Sequence, residues 1–389
     1  MKILITPMAV AAPTAGPISR ARVIAEEAKS RGHDVAFCAA DEINYKPVDG
    51  VKNYYAPIPK LFGRVPSFLS KRILPIIQKL KIQEKKEVKS FEQVLHIAGA
   101  ICGDFFSKDV NWIRKAIKDF KPDIVFAEFR PAAIVAAKLE NIEVVTDYSY
   151  PTQRQYASSP EYSKNVKLFL KNNNLPDIKS VLDIFAWADK KIVVSSYSLE
   201  PIDEKNVYFV GPLISFNNQV KTTGKKNIIF YMGSGTISSE KTIKVAIEAF
   251  KNTDYQVYIA TAFSNKKNNL KNIHIQERFD FSELMPDCKV FINHGGQNSI
   301  MTGFVYGVPQ IIFPGKVFER KYNASSVEKN KAGFYLSEKD FNVEIIKSTV
   351  KTFETDITFK NNSLKIGKEL LKLGGVSKLV DILEENKFN

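Results

Sequence analysis

The stretch Phe291-Ile-Asn-His294-Gly-Gly-Gln-Asn-Ser-Ile-Met-Thr-Gly-Phe-Val-Tyr-Gly307-Val-Pro-Gln-Ile-Ile-Phe313-Pro-Gly-Lys-Val-Phe-Glu319-Arg-Lys-Tyr-Asn323 decides how this chain folds. A short apolar run, Val290 to Ile292, predicts a buried parallel strand. His294-Gly295-Gly296 turns at its C-terminal edge, Gln297-Asn298-Ser299 opens a helix to about Tyr306, and Pro309 to Phe313 is a second strand. Ligands of open α/β sheets bind just past the strand C-termini. A helix N-terminus there offers unpaired N–H groups and about half a positive charge, which suits an anion. Glycines let a phosphate come close to the backbone because they carry no Cβ, and His294 can donate a ring N–H to the same anion.

Several separate elements stand in order here: His-Gly-Gly-x-x-Ser, a helix, a Gly-Val-Pro strand, Pro-Gly, and Glu319 four residues before Asn323-Ala324. Together they resemble glycosyltransferase family 1, the nucleotide-sugar-dependent transferases of the GT-B fold. The Arg31-Gly32-His33-Asp34-Val35 turn after the first helix is a further point of resemblance; His33 reads there as a turn residue, not a catalyst.

Outward from this stretch, the chain alternates strands and helices. Strands are predicted over Lys2–Pro7, Asp34–Cys38, Asp123–Ala127, Glu143–Thr146, Lys191–Ser195 and Val207–Val210, with helices from Pro17 to Arg31, Trp112 to Phe120, Pro131 to Leu139 and Ser180 to Ala188. Residues 150–178 read as a polar connection with one helix, Tyr162 to Lys171. Residues 214–226 are polar and aperiodic, a linker. A second set begins with strand Asn227–Met232 and continues through helix Ser239–Phe250, strands Tyr255–Ala260 and Asn272–Ile275 and helix Ser282–Met285. After the motif come helices near 319–331, 341–353, 356–373 and 376–386. The fold class is therefore α/β: two doubly wound, Rossmann-like domains, residues 1–213 and 227–375, facing across a cleft. The resemblance implies that residues 376–389 cross back to the first domain.

A length of 389 residues suits two domains. Net charge is +14, which points to anionic partners, yet no nucleic-acid-binding signature is present. Cys38, Cys102 and Cys288 are too few and too scattered for a disulfide framework or a metal site, so a reducing, cytoplasmic setting is expected. Residues 60–99 differ in character: apolar residues interleave with basic ones, and Lys60 to Lys89 holds nine basic and two acidic residues, half the net charge of the chain. Such a segment is either a solvated helical face or a peripheral contact with an anionic membrane; the resemblance places it along the acceptor cleft.

Glycosyl transfer must stabilise a leaving diphosphate, orient the sugar and deprotonate the acceptor. What the resemblance implies is a donor site built from Gly233, Ser234, Gly235, Thr236, Phe279, His294, Gly295, Gly296, Gln297, Asn298, Ser299, Glu319 and Arg320, with Phe279 stacking on the base and Glu319 accepting from sugar hydroxyls. No metal or cofactor is expected beyond the nucleotide-sugar co-substrate, and the implied acceptor is a hydrophobic small molecule or lipid. Besides the absent tryptophan before the motif strand and Thr302 in place of a ribose-binding acid, two departures bear on the chemistry. Arg320 replaces the usual Gln and can only donate. Pro17, in the Gly16-Pro17-Ile18-Ser19-Arg20 turn, stands where the catalytic histidine belongs. The partner acid of that histidine falls on Glu128. Three readings stay open: Glu128 is itself the base, which needs its pKa raised by burial; the acceptor is already nucleophilic; or the protein has lost turnover and assists a partner enzyme. A nucleotide-sugar epimerase on the same fold is a further class. The resemblance implies transfer of a hexose with inversion.

Overall fold

The computed structural model describes residues 1–9, 16–41, 45–65, 87–213, 224–233, 237–261 and 270–385. Two parallel sheets organise it. The first runs β3-β2-β1-β4-β5-β6-β7, with β1 Lys2–Pro7, β2 Asp34–Phe37, β3 Lys52–Asn53, β4 Ile124–Glu128, β5 Glu143–Tyr148, β6 Lys190–Val193 and β7 Val207–Phe209. The second runs β10-β9-β8-β11-β12-β13, with β8 Asn227–Tyr231, β9 Gln256–Ala260, β10 Ile273–Gln276, β11 Cys288–Asn293, β12 Gln310–Ile312 and β13 Gly333–Tyr335. Strands such as β1 and β4 are apolar on both faces because helices cover both sides of the sheet.

The strand order reverses between β1 and β4 in one sheet and between β8 and β11 in the other. At the first reversal Pro7 is paired with Glu128; at the second Asn293 is paired with Tyr231. A crevice opens past the strand ends at such a reversal. Gly233 after β8, the motif residues that follow β11, and the acid that ends β4 stand at these two points.

Helix Gly16–Ser30 has Pro17 in its first turn, where the missing N–H costs nothing. Helices Pro131–Leu139 and Ser239–Phe250 have the predicted bounds. Helix Phe105–Phe120 begins seven residues before the predicted Trp112, because Phe106, Asp109 and Val110 are buried on the same face as Ile113 and Ile117. The segment predicted as one helix over 180–188 is a 3-10 turn, Val181–Trp187, opened by Ser180. Strand β5 runs two residues past the predicted Thr146, taking Asp147 and Tyr148 into the sheet. Strands β3 and β13 and helix Phe91–Ala98 were not anticipated.

The last helix, Gly375–Glu384, buries Leu379, Val380, Ile382 and Leu383 in the apolar cluster under the first sheet, with Ile5, Ile24, Phe126 and Val210. Its path there depends on Gly374 and Gly375, both at positive φ, and the Gly375 amide donates to the Val210 carbonyl. Gly211 faces the same crossing: a Cβ on it would lie 2.3 Å from the Leu370 carbonyl oxygen. Most of the predicted linker (214–223), most of the basic segment (66–86), and Ser234, Gly235 and Thr236 lie outside the described residues.

Candidate active site

Asn293 ends β11 and fixes the loop that follows. Its Oδ1 accepts from the Gly295 amide at 2.8 Å, and its Nδ2 donates to Gln310 Oε1 at 2.9 Å. Gln310 in turn donates to the Ile300 carbonyl, and Asn323 Nδ2 donates to the Gly295 carbonyl. These buried amides hold the loop from three sides. Helix Gln297–Val305 then begins at Gly296 with no side-chain cap, so its first-turn amides face the crevice without a side-chain partner at the cap.

His294 is 9% exposed and sits between the two glycine turns. A Cβ on Gly233 would lie 3.0 Å from the ring's Cε1, and one on Gly296 would lie 2.8 Å from Nε2. The glycines therefore make room for the imidazole itself, a packing reason beside the one drawn from phosphate approach. Burial, with the nearby Arg320 charge, lowers the His294 pKa to about 3 against one backbone hydrogen bond. That bond is from Nδ1–H to the Tyr231 carbonyl, 3.2 Å away. A carbonyl only accepts, so the neutral ring keeps its proton on Nδ1 and offers Nε2 as an acceptor. Donation from Nε2 to an anion requires the ring to gain a proton.

Glu319 and Arg320 open helix Phe318–Lys329 across the crevice, and both are half-buried. Burial raises the Glu319 pKa, opposed by Arg320 and then by Arg20 of the other domain. Burial lowers the Arg320 pKa, opposed by Glu319. Phe279 packs edge-on against Tyr258 at 5.5 Å, and Tyr231 sets its ring edge-on to His294 at 5.4 Å. Of the remaining motif residues, Asn298 is exposed and Ser299 buried. The Gln297 side chain reaches the other domain, donating to Glu200 Oε1 at 3.1 Å and to the Val194 carbonyl. Its backbone N–H is what it can turn toward a ligand.

On the first domain, Arg20 lies in the first turn after Pro17 and grips Glu128. Nε donates to Oε1 at 2.7 Å, and Nη2 contacts the same oxygen. Asp147, from β5, stands 3.6 Å from Arg20 Nε. Both carboxylates have zero exposure, and Glu128 Oε2 and both Asp147 oxygens are buried without a hydrogen-bonded partner atom. Burial, then the Glu128 charge, push the Asp147 pKa well above the usual carboxylate range. Burial works against the Arg20 charge, but Glu128 and Asp147 outweigh it and raise its pKa. The side chain of this trio with surface is Arg20, 13% exposed.

Sequence reading had no signal for Arg20 or Glu200. Asp147 did leave one: an acid inside the apolar run Glu143-Val-Val-Thr-Asp-Tyr148. The domains also meet through aromatic rings. Tyr150 stacks on Tyr322 with centroids 4.6 Å apart, Tyr156 packs edge-on to both, and the Tyr322 hydroxyl donates to the Leu199 carbonyl.

Residues 246–385 match the family of erythromycin biosynthesis protein CIII-like C-terminal domains. The chain is 26% identical to the NDP-glycosyltransferase YjiC of Bacillus licheniformis, over 68% of this chain and 72% of that one. It is 19% identical to the demethyllactenocin mycarosyltransferase of Streptomyces fradiae, over 96% of this chain and 84% of that one. Among solved structures, it superposes on the glycotransferase of kitacinnamycin with a TM-score of 0.73 at 16% identity, covering 99% of this chain and 98% of that one. The spinosyn rhamnosyltransferase SpnG, complexed with thymidine diphosphate, gives a TM-score of 0.68 at 14% identity, covering 99% and 100%.

Proposed function

From the premise that this chain is a GT-B glycosyltransferase of the macrolide and UDP-glycosyltransferase type, we propose that it moves a hexose from a UDP- or dTDP-sugar to a hydrophobic small-molecule or lipid acceptor. The observation that carries the donor half is the uncapped start of helix Gln297–Val305, joined through Gly295 and Gly296 to His294 at the reversal between β8 and β11. Backbone N–H groups and the helix dipole meet the charge of the leaving diphosphate there. Ser234, Gly235 and Thr236, outside the described residues, belong to this donor site on the sequence resemblance alone. Glu319 accepts from sugar hydroxyls, Arg320 donates to them, and Phe279 stacks on the base. The nucleotide in the related SpnG structure is thymidine diphosphate, which supports a pyrimidine nucleotide in the same crevice. Since the leaving group is met by the chain's own dipoles, turnover is expected to be insensitive to EDTA.

A hydrophobic acceptor is supported by the exposed rim of Tyr156 beside Tyr150 and Tyr322, and by a solved structure of the related SpnG that is complexed with spinosyn aglycone. Membrane contact through residues 60–99 rests on charge and apolarity alone. Among the described residues no helix is long and apolar enough to cross a membrane. The free, buried cysteines fit a reducing compartment.

A thermal-shift panel of UDP, dTDP and their sugars tests the donor half, because a ligand of the folded state raises apparent stability. Release of nucleoside diphosphate in the presence of acceptors tests transfer. Pro17 in place of a histidine favours one other reading, a nucleotide-sugar-binding auxiliary; nucleotide stabilisation with no turnover on any acceptor would select it. Conversion of the donor to an epimer would select the epimerase.

A further inference from the structure

Arg20 makes the contact with Glu128 that the resemblance assigns to a catalytic histidine. Resting on the transferase reading above, we propose that the acceptor attacks through an oxygen that is already ionised, a carboxylate or a phosphate, and that Arg20 receives it. The first turn of the helix at this point is Gly16-Pro17-Ile18-Ser19-Arg20, without a group that takes up a proton near neutrality. The two carboxylates behind it present no oxygen to the crevice, and a general base must come within hydrogen-bond reach of the proton it removes.

Arg20 is built to receive an anion. Its Nε and Nη2 are held by Glu128, which fixes the plane of the guanidinium. Nη1 has no hydrogen-bond partner among the described residues, and it lies 3.8 Å from where a Cβ on Gly16 would stand. A guanidinium carries five donors in a rigid fork, so a second acceptor can approach its other side. Burial and the Glu128 charge push the Asp147 pKa up, which weakens the negative charge standing behind Arg20. The Glu319 charge across the crevice also helps to raise the Arg20 pKa. A net charge of +14 favours encounter with anions.

The step balances without a base. A lone pair on the acceptor oxygen forms the bond to the anomeric carbon. The bond from that carbon to the phosphate oxygen breaks, and its electron pair leaves with the nucleoside diphosphate. The acceptor loses its negative charge as the diphosphate gains one, and no proton is released.

The test pairs acceptors that share an apolar body and differ in whether the attacking oxygen belongs to an anionic group: benzoate with benzyl alcohol, and dodecyl phosphate with dodecanol, using whichever of UDP-glucose and dTDP-glucose stabilises the protein more. Expected is at least tenfold faster nucleoside diphosphate release with an anionic member, and kcat/KM flat between about pH 6 and 9. Hydroxylamine distinguishes the sources, since it cleaves a glycosyl ester of benzoate and leaves a glycosyl phosphodiester of the lipid intact. Arg20→Gln should raise KM for the anionic acceptor tenfold or more while nucleotide still stabilises the protein, and Arg20→Lys should recover part of the loss. Turnover of neutral members alone, or a rate rising with pH through an ionisation that Glu128→Gln removes, overturns the proposal and leaves the transferase reading standing. No stabilisation by any nucleotide overturns both.

Discussion

Arg20 and Glu128, 108 residues apart in the chain, meet with Nε 2.7 Å from Oε1 where the first helix begins and β4 ends. The contact ties the helix to the strand reversal of the first sheet. It also sets a cation, backed by two buried carboxyl groups, at the wall of the crevice.

Replacing Glu128 by Gln tests this arrangement. Breaking a buried ion pair by removing one partner typically costs about 3–5 kcal/mol. Here Asp147 stands 3.6 Å from the same Nε and can take over the pairing. The expected loss is therefore nearer about 1–2 kcal/mol. The pH dependence is the sharper signature. The folded-state pKa of Asp147 is raised, so the native state binds more protons than the unfolded chain. That contribution is fully present below the unfolded pKa and is lost as pH rises through the folded one. In Glu128→Gln the Asp147 carboxylate pairs with Arg20, its pKa falls, and this decline with pH should disappear. Urea melts from pH 4 to 8 measure it; parallel slopes in both proteins would refute the raised Asp147 pKa.

His294 makes a second, independent prediction. With its pKa lowered to about 3, the folded state binds fewer protons than the unfolded one between that value and about 6.5. Its contribution to stability is whole above this window and lost as pH falls through it. A diphosphate against Nε2 reverses the balance by favouring the protonated ring. Binding of UDP or dTDP near pH 5.5 should then take up a fraction of a proton, read by calorimetry in buffers of different ionisation enthalpy. His294→Gln should abolish the uptake. Equal uptake in the variant would place the proton elsewhere.

The difference between what could and could not be read from the sequence follows from range. β4, Pro131–Leu139 and Ser239–Phe250 announce themselves because their burial patterns repeat within a few residues. β3 has two residues and β13 three, and each exists only because a neighbouring sheet edge accepts it. The same holds at the site. The loop from Asn293 to Ser299 is contiguous, and its glycine–histidine pattern is visible in one window. The Arg20–Glu128–Asp147 trio is assembled from a helix and two strands, so the sequence showed an absent histidine at Pro17 without showing what replaces it. Gln297 illustrates the converse. Its position in the motif is legible, but the destination of its side chain, Glu200 of the other domain, depends on how the domains meet.

Gly296 and His294 should be energetically coupled. An Ala at 296 would put its Cβ 2.8 Å from Nε2, closer than normal contact. Overpacking of this kind costs about 1–3 kcal/mol. Removing the ring relieves it, so the double variant Gly296→Ala/His294→Ala should be more stable than the sum of the single losses predicts, by about 1 kcal/mol or more. Additivity within experimental error would mean that the loop, not the ring, dictates glycine at this position.

The last helix carries the final prediction. Leu383 is fully buried in the cluster shared with Ile5, Ile24 and Val210, and the helix is pinned by Arg31 to Asp381 at 2.6 Å and by His33 to Glu384 at 2.6 Å. Leu383→Ala should cost about 2–5 kcal/mol. That loss belongs to the first domain although the residue is joined in sequence to the second. Hydrogen exchange separates the two: amides of β1, β2 and helix Gly16–Ser30 should lose protection first, while β8 and β11 keep theirs and nucleotide still raises the stability of the second sheet. Uniform loss of protection would instead show that the two sheets unfold as one unit, with the aromatic contact of Tyr150 on Tyr322 and the Gln297–Glu200 bond strong enough to couple them.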